Sequence, residues 1–270
     1  MKELLHFLDG ITMTCPQAWG LFHIVCVMLA FGTAGLFIWD KKHGARISPR
    51  AVYGIYGFVT FALELTKQLM WAVVETEEGL VWSYSWYSAP FQFCTMPLFV
   101  SLILFFSKNE KLNSYLTAFL GLFSIISMTG VMFYPGDVFT SSPIINVHTM
   151  YLHGGGFALA MFVLIRRLIP FTFRSVVKGF CVFLICVALA LMLDIGVEKS
   201  GINHGATFNM FYISPYYPST LPVFSLLWEK LPYPLFLLTY IVAFFAGGCL
   251  TCGIARLIGG AEPTGTGAKN

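Results

Sequence analysis

Apolar residues in this chain come in blocks, and the blocks have helix length. Seven stretches, at 18–39, 51–74, 89–106, 115–133, 144–165, 179–197 and 233–258, carry few charges, and each approaches the ~20 apolar residues that one bilayer crossing needs. None shows the alternating in–out pattern of a membrane β-barrel strand. Backbone in hydrocarbon must satisfy its own hydrogen bonds, so each block is predicted to be a spanning helix. The expected fold is all-α: a polytopic bundle of seven transmembrane helices over residues 18–258.

The segments around the blocks have their own character. Leu4, Leu5, Phe7, Leu8 and Ile11 predict a short amphipathic helix within residues 1–17, lying at the outer interface. His6 and Asp9 interrupt its apolar run, which argues against a signal peptide. Residues 198–232 hold Trp228, several tyrosines and several prolines, and are expected to form a packed outer cap. The Gly/Thr-rich tail at 259–270 is expected to be disordered, and the other connections are expected to be short.

Lys and Arg set the expected orientation. Lys41, Lys42, Arg46, Arg50, Lys108, Lys111, Arg166, Arg167, Arg174, Lys178, Arg256 and Lys269 all fall on one side of an alternating path. Only Lys2, Lys199 and Lys230 fall on the other. The N-terminus is thus expected outside and the C-terminus in the cytoplasm, with a plasma-membrane location.

Composition agrees and narrows the function classes. The chain has 270 residues, 57% apolar and 11% charged, with a mean hydropathy of +0.75; a soluble domain carries about 25% charged residues. A cytosolic globular protein, a disordered chain and a nucleic-acid binder are excluded. The net charge of +3 implies no anionic macromolecular partner. Seven cysteines, six of them inside apolar blocks, do not make a disulfide framework. Cys249 and Cys252 read as packing residues, and no compact metal-ligand spacing is present.

Polar residues at membrane depth are costly, so they mark function or pairing. Glu64, Lys67 and Gln68 share one face of the second block at i, i+3 and i+4, which predicts a structural or relay pair. Gln92 and Cys94 follow Pro90 in the third, His148 and His153 lie in the fifth, and Asp194 and His23 lie near outer ends. At 1.5 Å per residue, Cys94 is expected roughly 8 Å, His153 about 13 Å and Glu64 about 15 Å below the outer surface. One outward-facing polar cavity accounts for these depths. Pro97 is expected to bend the third helix beside Cys94. Gly154, Gly155 and Gly156 leave the fifth helix bare for a packed neighbour or a ligand chain.

Four motifs in order carry a family resemblance. Ala89-Pro-Phe-Gln-Phe-Cys-Thr resembles the Leu-Pro-Leu-His-Leu-Cys-Asp motif of the YwaF-like integral membrane proteins. Tyr151-Leu-His-Gly is similar to that family's aromatic-x-x-His-Gly pattern, and the Glu64, Gln68 and Trp71 spacing fits too. The segment from Gly205 through Ser214-Pro and Pro218-Ser to Leu231-Pro-Tyr-Pro resembles its last signature. Eukaryotic relatives of that family include a transmembrane acyltransferase that makes ether phospholipids. The resemblance implies Cys94 as acyl acceptor and His153 as base, with phospholipid and lysophospholipid as substrates and no cofactor. Gln92 stands where the family has His, Thr95 where it has Asp, and Thr207 where it has Asn, with Asn209 nearby.

The chemistry is coherent with that implication. A thiolate is the competent nucleophile, and a histidine on a facing helix takes its proton and returns it to the leaving oxygen. Gln92, His148, Thr207 and Asn209 are the candidate substrate-binding or oxyanion residues. Two other classes fit the same residues. A transporter or proton-coupled carrier would use Glu64, Lys67, His153 and Asp194 as a relay. A non-catalytic scaffold or receptor would bind a partner through the outer cap.

Overall fold

A computed structural model describes residues 10–77, 79–136 and 138–259. Most of the expected N-terminal amphipathic helix (residues 1–9) and the tail from 260 onward lie outside the described residues.

Helix α1 (Leu21–Lys42) buries a narrow stripe, His23, Ala30, Ala34 and Phe37, whose small residues let its neighbours approach. Leu21, Met28, Leu29, Leu36 and Trp39 on its other faces are each more than 60% exposed. Burying such a side chain is worth about 1.5–3 kcal/mol, so this surface is built for lipid and not for water. Helix α2 (Pro49–Met70) buries Tyr53, Tyr56, Thr60, Glu64 and Lys67 at helical spacing on one face. Its Gly54 and Gly57 admit Phe105 and Leu102 of the next helix.

The second apolar block was expected to stay helical to residue 74, but the helix stops at Met70. The β-branched run that follows forms an antiparallel hairpin, β1 (Val73–Thr76) with β2 (Gly79–Trp82), in which Val73 faces Trp82. The connection from α2 to the next helix is therefore long, against expectation. It passes through a 3₁₀ turn at Trp86–Ser88 and an extended stretch to Gln92.

Helix α3 (Phe93–Phe106) also starts later than expected. It opens with a 3₁₀ turn, Phe93–Thr95, and continues as Met96–Phe106. Thr95 fixes this start, because its Oγ1 accepts the Gln92 N–H at 2.9 Å. Pro97 falls in the first turn of the α-helical part, where no intrahelical donor is needed, so it starts the helix instead of bending it.

Helix α4 (Glu110–Phe133) is capped by Asn109, whose side chain accepts the Leu112 N–H at 3.1 Å. It contains a buried π-helical turn at Leu120–Ser124. Helix α5 (Pro143–Ile165) is capped by Ser142 and contains a second π-turn at Tyr151–Gly155. Helix α6 (Phe173–Ser200) is longer than its apolar block and ends on Gly201, whose φ of +66° suits glycine. Residues 201–232 pack as a cap, with Phe208, Met210, Phe211 and Ile213 buried; it carries a 3₁₀ turn at Met210–Tyr212 and the short helix α7 (Phe224–Lys230). Helix α8 (Tyr233–Gly259) closes the bundle.

Among the described residues, α1, α4, α5, α6 and α8, at 22–28 residues, are long and apolar enough to cross a membrane. The expectation of seven is thus met for five on length and composition. Helix α2 has the length but carries Arg50, Glu64 and Lys67, and α3 is short. The small hairpin is the one departure from an all-α fold among the described residues.

The bundle has two ends. At one, Asp40 receives the backbone N–H groups of Arg46 and Ile47 and pairs with Arg166 at 2.5 Å, tying α1 to α5. At the other lie the hairpin, residues 138–142 and the cap. An aromatic core of Phe93, Phe119, Phe123, Phe183, Phe236 and Tyr240 sits beneath the cap.

Candidate functional site

Glu64 is the hub of the buried polar cluster. Its Oε1 accepts from Lys67 Nζ and from Gln68 Nε2, each at 2.7 Å. Its Oε2 accepts from His148 Nε2 at 2.7 Å. The i, i+3 and i+4 spacing puts Lys67 and Gln68 on one face, as expected, and the third partner comes from α5. Gln68 is itself oriented: it donates to the Ser88 carbonyl at 2.9 Å and accepts from Tyr84 at 2.7 Å. The Lys67 ammonium also lies over the Trp71 ring at 5.9 Å. A carboxylate oxygen can only accept, so His148 Nε2 carries the proton of this bond. Its Nδ1 is buried with no partner among the described residues.

His153 lies five residues further along α5. In a regular α-helix that step turns the side chain about 140° away from His148. The π-turn at Tyr151–Gly155 inserts a residue and narrows this angle, and the two rings lie within electrostatic range. His153 Nδ1 donates to the Thr149 carbonyl at 2.8 Å, which fixes the tautomer and leaves Nε2 with its lone pair.

Cys94 sits in the first turn of α3 and not a full turn inside a helix. The first amides of a helix have no intrahelical acceptor and point toward its N-terminal end. The Phe93–Thr95 turn packs directly against the Tyr151–Gly155 π-turn, so the cysteine and histidine segments meet. Cys94 is part-buried between the helices. Lys67 and Glu64 act on it electrostatically, and Lys67 acts on His153 as well. Met128, Met132 and Met150 pack on the same side.

The three glycines beside His153 are used for packing. A Cβ on Gly155 would stand 3.3 Å from the Tyr56 ring, and one on Gly156 would stand 2.6 Å from Met128 Sδ. Tyr56 then donates to the Leu152 carbonyl at 3.1 Å.

Gln92 bridges the helix of Cys94 and the cap. Its Nε2 donates to the Asn209 carbonyl at 2.9 Å and its Oε1 accepts the Phe211 N–H at 2.8 Å. It clamps the cap onto the helix that carries Cys94. The held residues are strained: Phe211 and Tyr212 have φ of +56° and +58°. Asn209 is a cap residue too, bonding Pro218 and Ser214. Thr207 is exposed on the cap surface, apart from the cluster. Asp194 accepts the Met210 N–H at 2.7 Å, so it joins α6 to the cap. Both nitrogens of His23 are bonded, to Trp19 and Met132.

Tyrosines are what the sequence did not flag. Tyr56, Tyr212 and Tyr240 all lie within electrostatic range of Cys94. Burial, with the Cys94 thiol adding to it, pushes the Tyr212 phenol up to about 12, so it stays a hydrogen-bond donor. Tyr56 was findable, since it lies eight residues before Glu64 on the same helical face. Tyr212 and Tyr240 reach the site only through the cap and the last helix.

Comparison with curated proteins gave no match, and comparison with solved structures gave none. Residues 13–251, which contain every side chain of this cluster, match the TMEM164 family, and the chain belongs to that family.

Proposed function

We propose that this membrane protein is a cofactor-independent phospholipid acyltransferase with Cys94 as nucleophile and His153 as base. The observation that carries the reading is the packing of the Cys94 turn on the π-turn of His153, whose tautomer leaves Nε2 free to accept a proton.

The thiol proton passes to His153 Nε2 as the sulfur attacks the ester carbonyl carbon of a donor phospholipid. The ester C–O bond breaks, and the leaving lysophospholipid oxygen takes the proton back. The acyl group is then a thioester on Cys94. A second lysophospholipid hydroxyl attacks it, the C–S bond breaks, and the thiol is restored. The Phe93 and Cys94 amides and the Tyr212 hydroxyl supply donors for the developing oxyanion, the Thr95 amide being held by the Gln92 carbonyl. The energy of the acyl bond comes from the donor ester, so no soluble cofactor enters.

In this reading α1 to α6 and α8 all cross the plasma membrane, with the cap outside and the C-terminus in the cytoplasm. Helix α3 then covers about 20 Å of a ~30 Å core, which leaves Cys94 about 10 Å inside its outer boundary. A donor ester would have to dip below the headgroup level to meet the sulfur.

The test is intact mass spectrometry of purified protein incubated with phospholipid. Wild type gains an acyl mass that Cys94→Ala lacks. Acyl exchange that persists in Cys94→Ala would remove the sulfur from the mechanism.

A further inference from the structure

The Glu64–His148 pair is a feature that the proposed mechanism does not use. His148 is buried, its Nε2 is held by a carboxylate at 2.7 Å, and its Nδ1 has no partner among the described residues. His153 satisfies the same Nδ1 atom on the carbonyl four residues back, at Thr149. His148 does not use the equivalent carbonyl. A buried acceptor without a donor costs about 1–3 kcal/mol. A carboxylate on the far side of an imidazole is the arrangement that orients a general base. The two histidines therefore offer opposite nitrogens, Nε2 on His153 and Nδ1 on His148, within electrostatic range of each other.

We propose that His148 Nδ1 is a second base, serving the half-reaction in which the acceptor lysophospholipid discharges the Cys94 thioester, with Glu64 as its positioning residue. The proposal rests on the acyl-transfer reading above. The acceptor hydroxyl gives its proton to His148 Nδ1 as its oxygen attacks the thioester carbonyl carbon. The C–S bond breaks, and the departing Cys94 sulfur takes that proton from Nδ1. An ester has formed, the thiol is restored and His148 is neutral again.

The experiment separates the two halves. Purified full-length protein is loaded from a phospholipid with a labelled acyl chain, and thioester on Cys94 is followed by intact mass. A lysophospholipid is then added and the loss of label from the protein is timed. His148→Gln is expected to slow discharge about 100-fold while slowing loading far less. Glu64→Gln is expected to show the same imbalance by a smaller factor. Hydroxylamine, whose neutral amine needs no base, should discharge all loaded proteins at one rate. Equal discharge by lysophospholipid in wild type and His148→Gln would overturn the proposal and leave the acyl-transfer reading intact. So would a loss of loading in both variants, since the pair would then be structural. Absence of a thioester in wild type would sink both readings.

Discussion

Replacing Gln92 with Leu removes the clamp between the Cys94 helix and the cap. Phe211 is fully buried, so its N–H would lose its only acceptor among the described residues and find no water. An unsatisfied buried group costs about 1–3 kcal/mol, and the second bond, to the part-buried Asn209 carbonyl, contributes about 0.5–1.5 kcal/mol. The combined loss is about 2–4 kcal/mol. Phe211 and Tyr212 already hold left-handed backbone, a conformation that persists only while its surroundings enforce it. The loss should therefore appear as local opening of the cap and not as global unfolding. Each 1.4 kcal/mol is tenfold, so amide hydrogen exchange across residues 208–214 should speed up roughly 30- to 1,000-fold, while α4 and α5 keep their protection. Gln92→Glu keeps an acceptor for Phe211 but has no donor for Asn209, and should show the smaller part of the effect. Exchange in 208–214 that stays within threefold of wild type in Gln92→Leu would refute the clamp.

Glu64→Leu strands Lys67 and His148 in the bundle and should lose about 3–5 kcal/mol, seen as a lower thermal midpoint in detergent, whereas Glu64→Gln should lose less. Gly248→Ala places a Cβ 2.6 Å from the buried Phe123 ring, which stacks on Phe119 and Phe183 and cannot turn aside. It should cost about 1–3 kcal/mol, and more than Gly156→Ala, where the flexible end of Met128 can yield; equal melting of the two variants would contradict this. Asp40→Ala removes the acceptor of two backbone N–H groups and the partner of Arg166, and faster proteolysis at 43–48 is the expected result.

Much of this protein is written in one dimension. Apolar blocks with too few charges for a water-facing surface determine a membrane bundle, because hydrocarbon demands helices whatever the neighbours are. Glu64, Lys67 and Gln68 share a face through helical spacing alone, so that part of the buried polar cluster is legible without any neighbour. Helix ends were less legible. The 73–82 hairpin, the late start of α3 and the first-turn position of Pro97 depend on what the α2–α3 connection packs against. The two π-turns were also invisible, since an inserted residue leaves the apolar pattern unbroken.

Tertiary structure alone decided which polar groups meet. It joined His148 to Glu64 across 84 positions and Gln92 to Phe211 of the cap across 119. It also brought Tyr212 and Tyr240 toward Cys94, and sent Thr207 to the surface. The physical reason is one of range. Hydropathy and helix periodicity act between residues a few positions apart and can be read along the chain. A hydrogen bond acts over about 3 Å and is set by which helices pack side by side.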